Sequence, residues 1–284
     1  MRSRRPNALV TVLVYAALIL LCALVLYPVM IILKKAIEPG RQFALSASPI
    51  PSEVTGEHYR ELFSARGANG QLLFLRGGIN SIVVALLTSV VGVTISCTAA
   101  YALSRFRFRG RKMGLTMFLV VQMFPATLLL LPLYVILNKL GLLNSLLGLV
   151  LVYSTTAIPF CVWTLKGYFD SLPRELEEAA RIDGATPWMI FRKIILPLSR
   201  PALAVTALFS FMTAWNEFIM ASTFMTDQTK YTLPVLIQSS VTEHSADWGL
   251  FAAGAVLTSI PVMILFYVLQ KYLVGGLTAG AVKG

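Results

Sequence analysis

Six long apolar runs govern what this chain can fold into. Residues 8–33, 80–103, 113–137 and 142–165 carry no charge at all. Residues 202–225 contain only Glu217, and residues 250–274 only Lys271, near the end where a lysine can snorkel. A helix needs about 20 apolar residues to cross a hydrocarbon layer about 30 Å thick. Inside that layer each backbone amide must find its partner within the segment, so the runs are read as helices. Composition agrees: only 13% of residues are charged, against about one quarter in soluble domains. The expectation is an all-α integral membrane protein with six transmembrane helices. The first run follows Arg2, Arg4 and Arg5, as a signal peptide would. It is too long for one and no small-x-small cleavage site follows, so it is read as a retained helix.

Basic residues set the orientation, because short loops rich in Lys and Arg stay in the cytoplasm. With both termini inside, the inner face holds the three N-terminal arginines and five bases from Arg105 to Lys112. The 166–200 loop adds six, and Lys271 and Lys283 complete the set, leaving only eight of the 24 bases outside. Lys34 and Lys35 stand against this count. The alternation Arg105-Phe-Arg-Phe-Arg-Gly-Arg-Lys112 is read as a topology signal that touches anionic lipid, not as a nucleic-acid site. Cys22, Cys97 and Cys161 lie in apolar runs far apart, a pattern of small buried hydrophobes with neither disulfide nor metal spacing.

Between the fourth and fifth runs lies a polar loop of about 36 residues that contains two helix signals. Leu172, Leu176, Ala179 and Ala180 recur on one helical face. Glu175, Glu177 and Glu178 suit the early turns of that helix, and Gly184 is placed to end it in a left-handed cap. Thr186-Pro187 reads as N-cap and first residue of a second helix, which Pro197 is expected to stop. Alanines beside Glu178 form a face on which another backbone can approach closely, with a charged anchor for a basic partner residue.

Glu178-Ala-Ala-Arg-Ile-Asp-Gly184, followed after nine residues by Ile194-Ile-Leu-Pro197, matches the EAA loop of binding-protein-dependent ABC importer permeases. Gln122-Met-Phe-Pro125, Lys166-Gly-Tyr-Phe169, Asp183-Gly-Ala-Thr-Pro-Trp188 and the closing Gly276-Leu-Thr-Ala-Gly-Ala-Val-Lys-Gly284 resemble the MalG-type sugar permeases. The resemblance covers essentially the whole chain. It implies the type I ABC importer permease architecture: six spans and a cytoplasmic helix–turn–helix coupling loop, in a bacterial or archaeal inner membrane. Residues 1–75 would hold the first span and an extracytoplasmic loop, 76–271 the permease core and 272–284 a cytoplasmic tail.

The resemblance further implies that Glu178, Ala179, Ala180, Asp183 and Gly184 dock an ATP-binding subunit dimer that carries ATP and Mg. Gly276, Thr278 and Lys283 of the glycine-rich tail would contact the same dimer, which would order the tail. A second, F-type permease and an extracytoplasmic solute-binding protein complete the implied partners, and the cargo is a sugar. The loop 226–249 would face the binding protein, with Tyr231 and Trp248 able to stack on a sugar. The chain has no Gly-Lys dipeptide and so no Walker A loop, which fits a subunit that is not itself an enzyme.

Within the membrane Glu217, next to Asn216, needs a partner or a watery cavity, because a charge at depth is costly. A pathway role and a structural hydrogen bond both satisfy that need. Pro125, Pro132, Pro159 and Pro261 are expected to kink their helices, and Ser154, Thr155 and Thr156 to pack between helices. A membrane enzyme is the rival class, yet His58 and His244 have no paired nucleophile or ligand spacing. A secondary carrier would call for more buried ionisable groups than Glu217, and a permease of the same family for a non-sugar solute is the remaining alternative.

Overall fold

The computed structural model describes residues 8–42, 48–241 and 246–281, with side chains up to residue 272. Arg2, Arg4, Arg5, His244 and Lys283 lie outside the described residues. The described chain is helical and contains no strand, only two isolated bridges. Two compact units are distinguished, Met1–Ala65 with Ile237–Ser259, and Arg66–Leu236 with Ile260–Gly284.

The first unit contains α1 (Ala8–Ile37) and α2 (Glu57–Ser64). The span 8–33 is extended here by four residues, which takes in Lys34 and Lys35. Lys34 donates to the Ser48 carbonyl at 3.0 Å and Lys35 to the Gly40 carbonyl at 2.7 Å, and both are buried. They fold the chain after the helix instead of remaining free surface charges. His58 is buried as well, its Nε2 at 3.0 Å from the Glu38 carbonyl, with its ring against Gly249, where a Cβ would lie 2.2 Å away. Arg41 pairs with Asp247 at 3.0 Å, and its carbonyl accepts from the Trp248 N–H.

The second unit is built on α3 (Leu73–Arg105), α6 (Leu146–Ser171) and α10 (Arg200–Trp215). Small residues let these helices approach, and hydroxyls cross between them. Ser89 donates to the Ala207 carbonyl at 3.0 Å and Ser96 to the Ile158 carbonyl at 3.3 Å. A Cβ on Gly92 would sit 3.4 Å from Ser210 Oγ, and that oxygen lies 3.1 Å from Cys161 Sγ. Ser154, Thr155 and Thr156 instead bond carbonyls of their own helix. Cys97 and Cys161 are buried as expected, whereas Cys22, on the all-round apolar α1, is exposed.

Two expected spans are broken. The run 113–137 becomes α4 (Arg111–Met123), a 3-10 turn Ala126–Leu129 and α5 (Leu130–Lys139), bent by 97°. Pro125 causes the break: it holds Phe124 extended (φ −74°, ψ 128°) and offers no N–H to continue the helix. Pro132 falls at the third position of α5, where no intrahelical bond is lost, and Pro159 and Pro261 sit inside continuous helices. The run 202–225 ends at Trp215 and resumes only as α11 (Ile219–Phe224).

Among the described residues four helices are therefore long and apolar enough to cross a membrane unaided, and up to six spans result if each bent pair counts as one. The second such pair joins Pro187–Leu198 to Arg200–Trp215 at 78°, so it begins in the polar loop. Beyond α12 (Leu233–Gln238), the last helix α13 runs Trp248–Ala281. Its backbone stays helical through Gly275, Gly276 and Gly280, where a tail ordered only by a partner was expected.

Candidate functional site

The polar loop after α6 folds into two short helices. The first, α7, spans Glu175–Ile182 and stops where expected. Gly184 adopts φ +80°, its N–H bonds the Arg181 carbonyl, and the Ala185 N–H reaches back to Ala180 at 2.9 Å. Those paired bonds form a Schellman cap, which glycine enters without a Cβ penalty. The second starts as expected, with Thr186 Oγ1 accepting from the Met189 N–H at 3.3 Å and Pro187 at the first position of α8 (Pro187–Ile190).

It does not stop at Pro197. A π-helical turn Phe191–Ile195 lets the Leu196 N–H bond the Phe191 carbonyl, and the short α9 (Leu196–Leu198) follows. Pro197 follows that turn directly, the helix ends one residue later at Leu198, and the break falls at the fully buried Ser199. The Leu198 carbonyl is satisfied across the loop by the Tyr168 hydroxyl at 3.0 Å.

The faces of α7 differ from the expected pattern. Leu172 caps the end of α6 instead of joining α7, and Leu176 is 42% exposed. The inward residues are Glu177, which is buried, and Ala180, which packs against the core cluster. Glu178, Ala179, Asp183 and Gly184 face outward together with Ile182 at 87% and Trp188 at 62% exposure. Four of the five EAA positions thus lie outward, with Ile182 and Trp188 exposed nearby, while Ala180, expected among the docking residues, is turned to the core because it packs on the cluster beneath α7.

Seating of the hairpin depends on the last turns of α3. Glu177 forms an ion pair with Arg105 and accepts from the Tyr101 hydroxyl at 3.1 Å. Arg105 also donates to the Leu172 carbonyl at 3.3 Å and to Ser104 Oγ at 3.1 Å. Ser104 in turn reaches Asp170 at 2.6 Å, and Asp170 pairs with Lys166. The Tyr101 ring meets Phe169 of α6 at 6.2 Å and Phe191 of the second loop helix at 4.7 Å. Ile190 and Ile195 are fully buried in the same cluster as Val162, Leu165 and Ala202.

Sequence reading missed Glu177, although a signal existed. The chain has no acidic residue between Glu61 and Asp170, so a buried Arg105 has its nearest following acids in that loop.

Asn216 and Glu217 lie at the far end of α10, about 24 Å along the axis from Arg200 at 1.5 Å per residue. Glu217 is half-buried and partnered: Tyr153 donates to it at 2.7 Å, the Met220 N–H at 2.8 Å and the Ala221 N–H at 3.0 Å. It caps α11 and ties it to α6. Beside it runs a groove of about 650 Å³ lined by Phe209, Met212, Thr213, Asn216, Glu217 and Phe218, with Asn216 exposed. On the 226–249 loop, Asn80 grips the carbonyls of Thr229 and Tyr231, each at 3.0 Å. Trp248 opens α13 with its ring edge-on to Phe251. Gly276 and Thr278 lie on the helical backbone of α13, with side chains outside the described set. Among the described residues no group of His, Cys, Asp or Glu could hold a metal ion.

Long apolar helices, a core closed by small residues and a polar hairpin packed against the end of α3 define a multi-span membrane protein. Residues 92–278 match the binding-protein-dependent transport system inner membrane components. The chain is 40% identical to the galactooligosaccharides transport system permease protein GanQ of Bacillus subtilis (strain 168), over 95% of this chain and 94% of that one. It is 41% identical to the maltose/maltodextrin transport system permease protein MalG of Yersinia pestis, over 94% and 92%. Among solved structures, a bacterial ABC transporter involved in import of the acidic polysaccharide alginate matches with a TM-score of 0.75 and 25% identity, over 96% of this chain and 99% of that one. The chain belongs to the family of binding-protein-dependent transport system inner membrane components.

Proposed function

We propose that the chain is the transmembrane permease subunit of an ATP-driven importer for a disaccharide or oligosaccharide delivered by an extracytoplasmic binding protein. The sugar class rests on the relatives named for galactooligosaccharides and maltodextrins. One observation carries the coupling mechanism: α7 turns Glu177 inward and Glu178, Ala179, Asp183 and Gly184 outward beside exposed Ile182 and Trp188. An isolated loop helix would bury such apolar groups. Burying one large side chain is worth about 1.5–3 kcal/mol, so this rim favours a protein partner.

The partner in this reading is an ATP-binding subunit dimer, which holds ATP and Mg and hydrolyses the nucleotide; the chain itself performs no catalysis. The rim Glu178, Ala179, Asp183 and Gly184 lies in a cleft of that dimer, with Ala180 behind it against the core, and Gly276, Thr278 and Lys283 reach the dimer from the tail. Residues 1–75 then form the first span and outer segment, 76–271 the permease core and 272–284 the tail. Both termini and the hairpin face the cytoplasm of the cell whose inner membrane holds the protein. A second, F-type permease completes the pathway, to which Asn216 and Glu217 contribute the groove at the end of α10.

Motion of the dimer presses the rim, and the close packing of Ile190, Phe191 and Ile195 against α3 and α6 passes that displacement into the bundle. Interiors are close-packed and yield little to such a push. Glu178→Arg, in the reconstituted complex, is expected to leave the chain in the membrane and to abolish substrate-stimulated ATP hydrolysis. Normal stimulation in that variant would remove the docking role.

A further inference from the structure

We propose that Arg105, Glu177 and Tyr101 form an internal clamp that makes α7 and the end of α3 a single mechanical body, and that Arg105 and Glu177 are positioning residues for coupling. The inference rests on the docking reading above and deepens it. Two successive glutamates divide the work: Glu178 meets the partner, and Glu177 fastens the helix that carries it.

Four observations point the same way. The carboxylate of Glu177 and the guanidinium of Arg105 are 4% and 5% exposed, so both charges are removed from water. Each has further partners: the Tyr101 hydroxyl for Glu177, and the Leu172 carbonyl and Ser104 hydroxyl for Arg105. A buried pair supported in this way is a poor device for stability, since its attraction is largely offset by desolvation, but it fixes one geometry. Tyr101, Ser104 and Arg105 all lie in the last two turns of α3, and through Ser104 the same network reaches Asp170 of α6. Finally, α7 has only eight residues, too short to hold its shape unaided. Without the clamp, a force on its outer rim would rotate or unwind the helix before α3 moved.

The test uses the complete transporter in proteoliposomes, measuring ATP hydrolysed per substrate molecule imported and counting only assembled complex. Lost folding lowers transport and hydrolysis together and leaves this ratio unchanged, whereas a slipping clamp raises it. Glu177→Leu and Arg105→Met are each expected to raise the ratio at least about fivefold. Together they should do no worse than either alone, because both remove the same contact. Where a single variant does not assemble, Glu177→Gln keeps the volume and an acceptor oxygen and should raise the ratio at least about twofold. An unchanged ratio in the assembled single variants, or multiplied losses in the double variant, would overturn the clamp. Glu178→Arg run in parallel separates the two readings. Normal stimulation there removes the docking role itself; lost stimulation there beside an unchanged ratio in the Glu177 and Arg105 variants removes only the clamp.

Discussion

Glu217→Ala separates the two roles that a carboxylate in an apolar run can have. In the structure both its oxygens are used: one takes the Met220 N–H at 2.8 Å, the other the Tyr153 hydroxyl at 2.7 Å and the Ala221 N–H at 3.0 Å. Losing a helix cap costs about 1 kcal/mol. Tyr153 is fully buried, and stranding its hydroxyl adds about 1–3 kcal/mol. The substitution should therefore destabilise the chain by about 2–4 kcal/mol, the sum of the capping and stranded-hydroxyl terms. In a Tyr153→Phe background no hydroxyl is left to strand, so the same change should cost only the cap, about 1 kcal/mol. Thermal unfolding of the four proteins in detergent gives the cycle, with a coupling of about 1–3 kcal/mol expected. Glu217→Gln, which keeps an acceptor oxygen, should retain most transport. Additive losses in the cycle would refute the structural account. So would a Gln variant of normal stability that no longer transports, which would mean that the charge itself acts on the cargo.

Two further outcomes test the packing and the orientation. Gly92→Ala should be tolerated, since the new Cβ meets Ser210 Oγ at 3.4 Å, while Gly92→Leu should overpack the α3–α10 contact by about 1–3 kcal/mol; equal thermal midpoints would show that the helices do not meet there. A cysteine placed at Ala179, in a chain lacking Cys22, should react with an impermeant maleimide in inverted vesicles and not in intact cells. Labelling only in intact cells would put the rim on the wrong side and end the docking proposal.

The loop shows how far local signals reach. The Schellman turn at Gly184 and the N-cap at Thr186 were legible because each depends on residues within one helical turn. The faces of α7 were not. Ala179 is exposed beside Glu178, as a face open to another backbone requires, yet the apolar Leu176 is exposed too and the charged Glu177 is buried. Periodicity assumes that the buried side is the apolar side. Here a charge 72 residues earlier, Arg105, decides the matter instead. The end of the second loop helix falls at Leu198, one residue past Pro197, but no short-range rule announced the π-turn before it.

Hydropathy alone determined that the chain is helical and lies in a membrane, since an apolar backbone of that length has no other way to satisfy its amides. Small residues and a carboxylate on one short helix need no distant context to be noticed, and Glu178, Ala179, Asp183 and Gly184 are exposed there. Only the tertiary structure decided where the spans break, that Glu217 caps a helix, and that Glu177 points inward. Those outcomes turn on which distant groups meet, and hydrogen-bond and ion-pair partners brought together by folding leave no periodic trace along the chain.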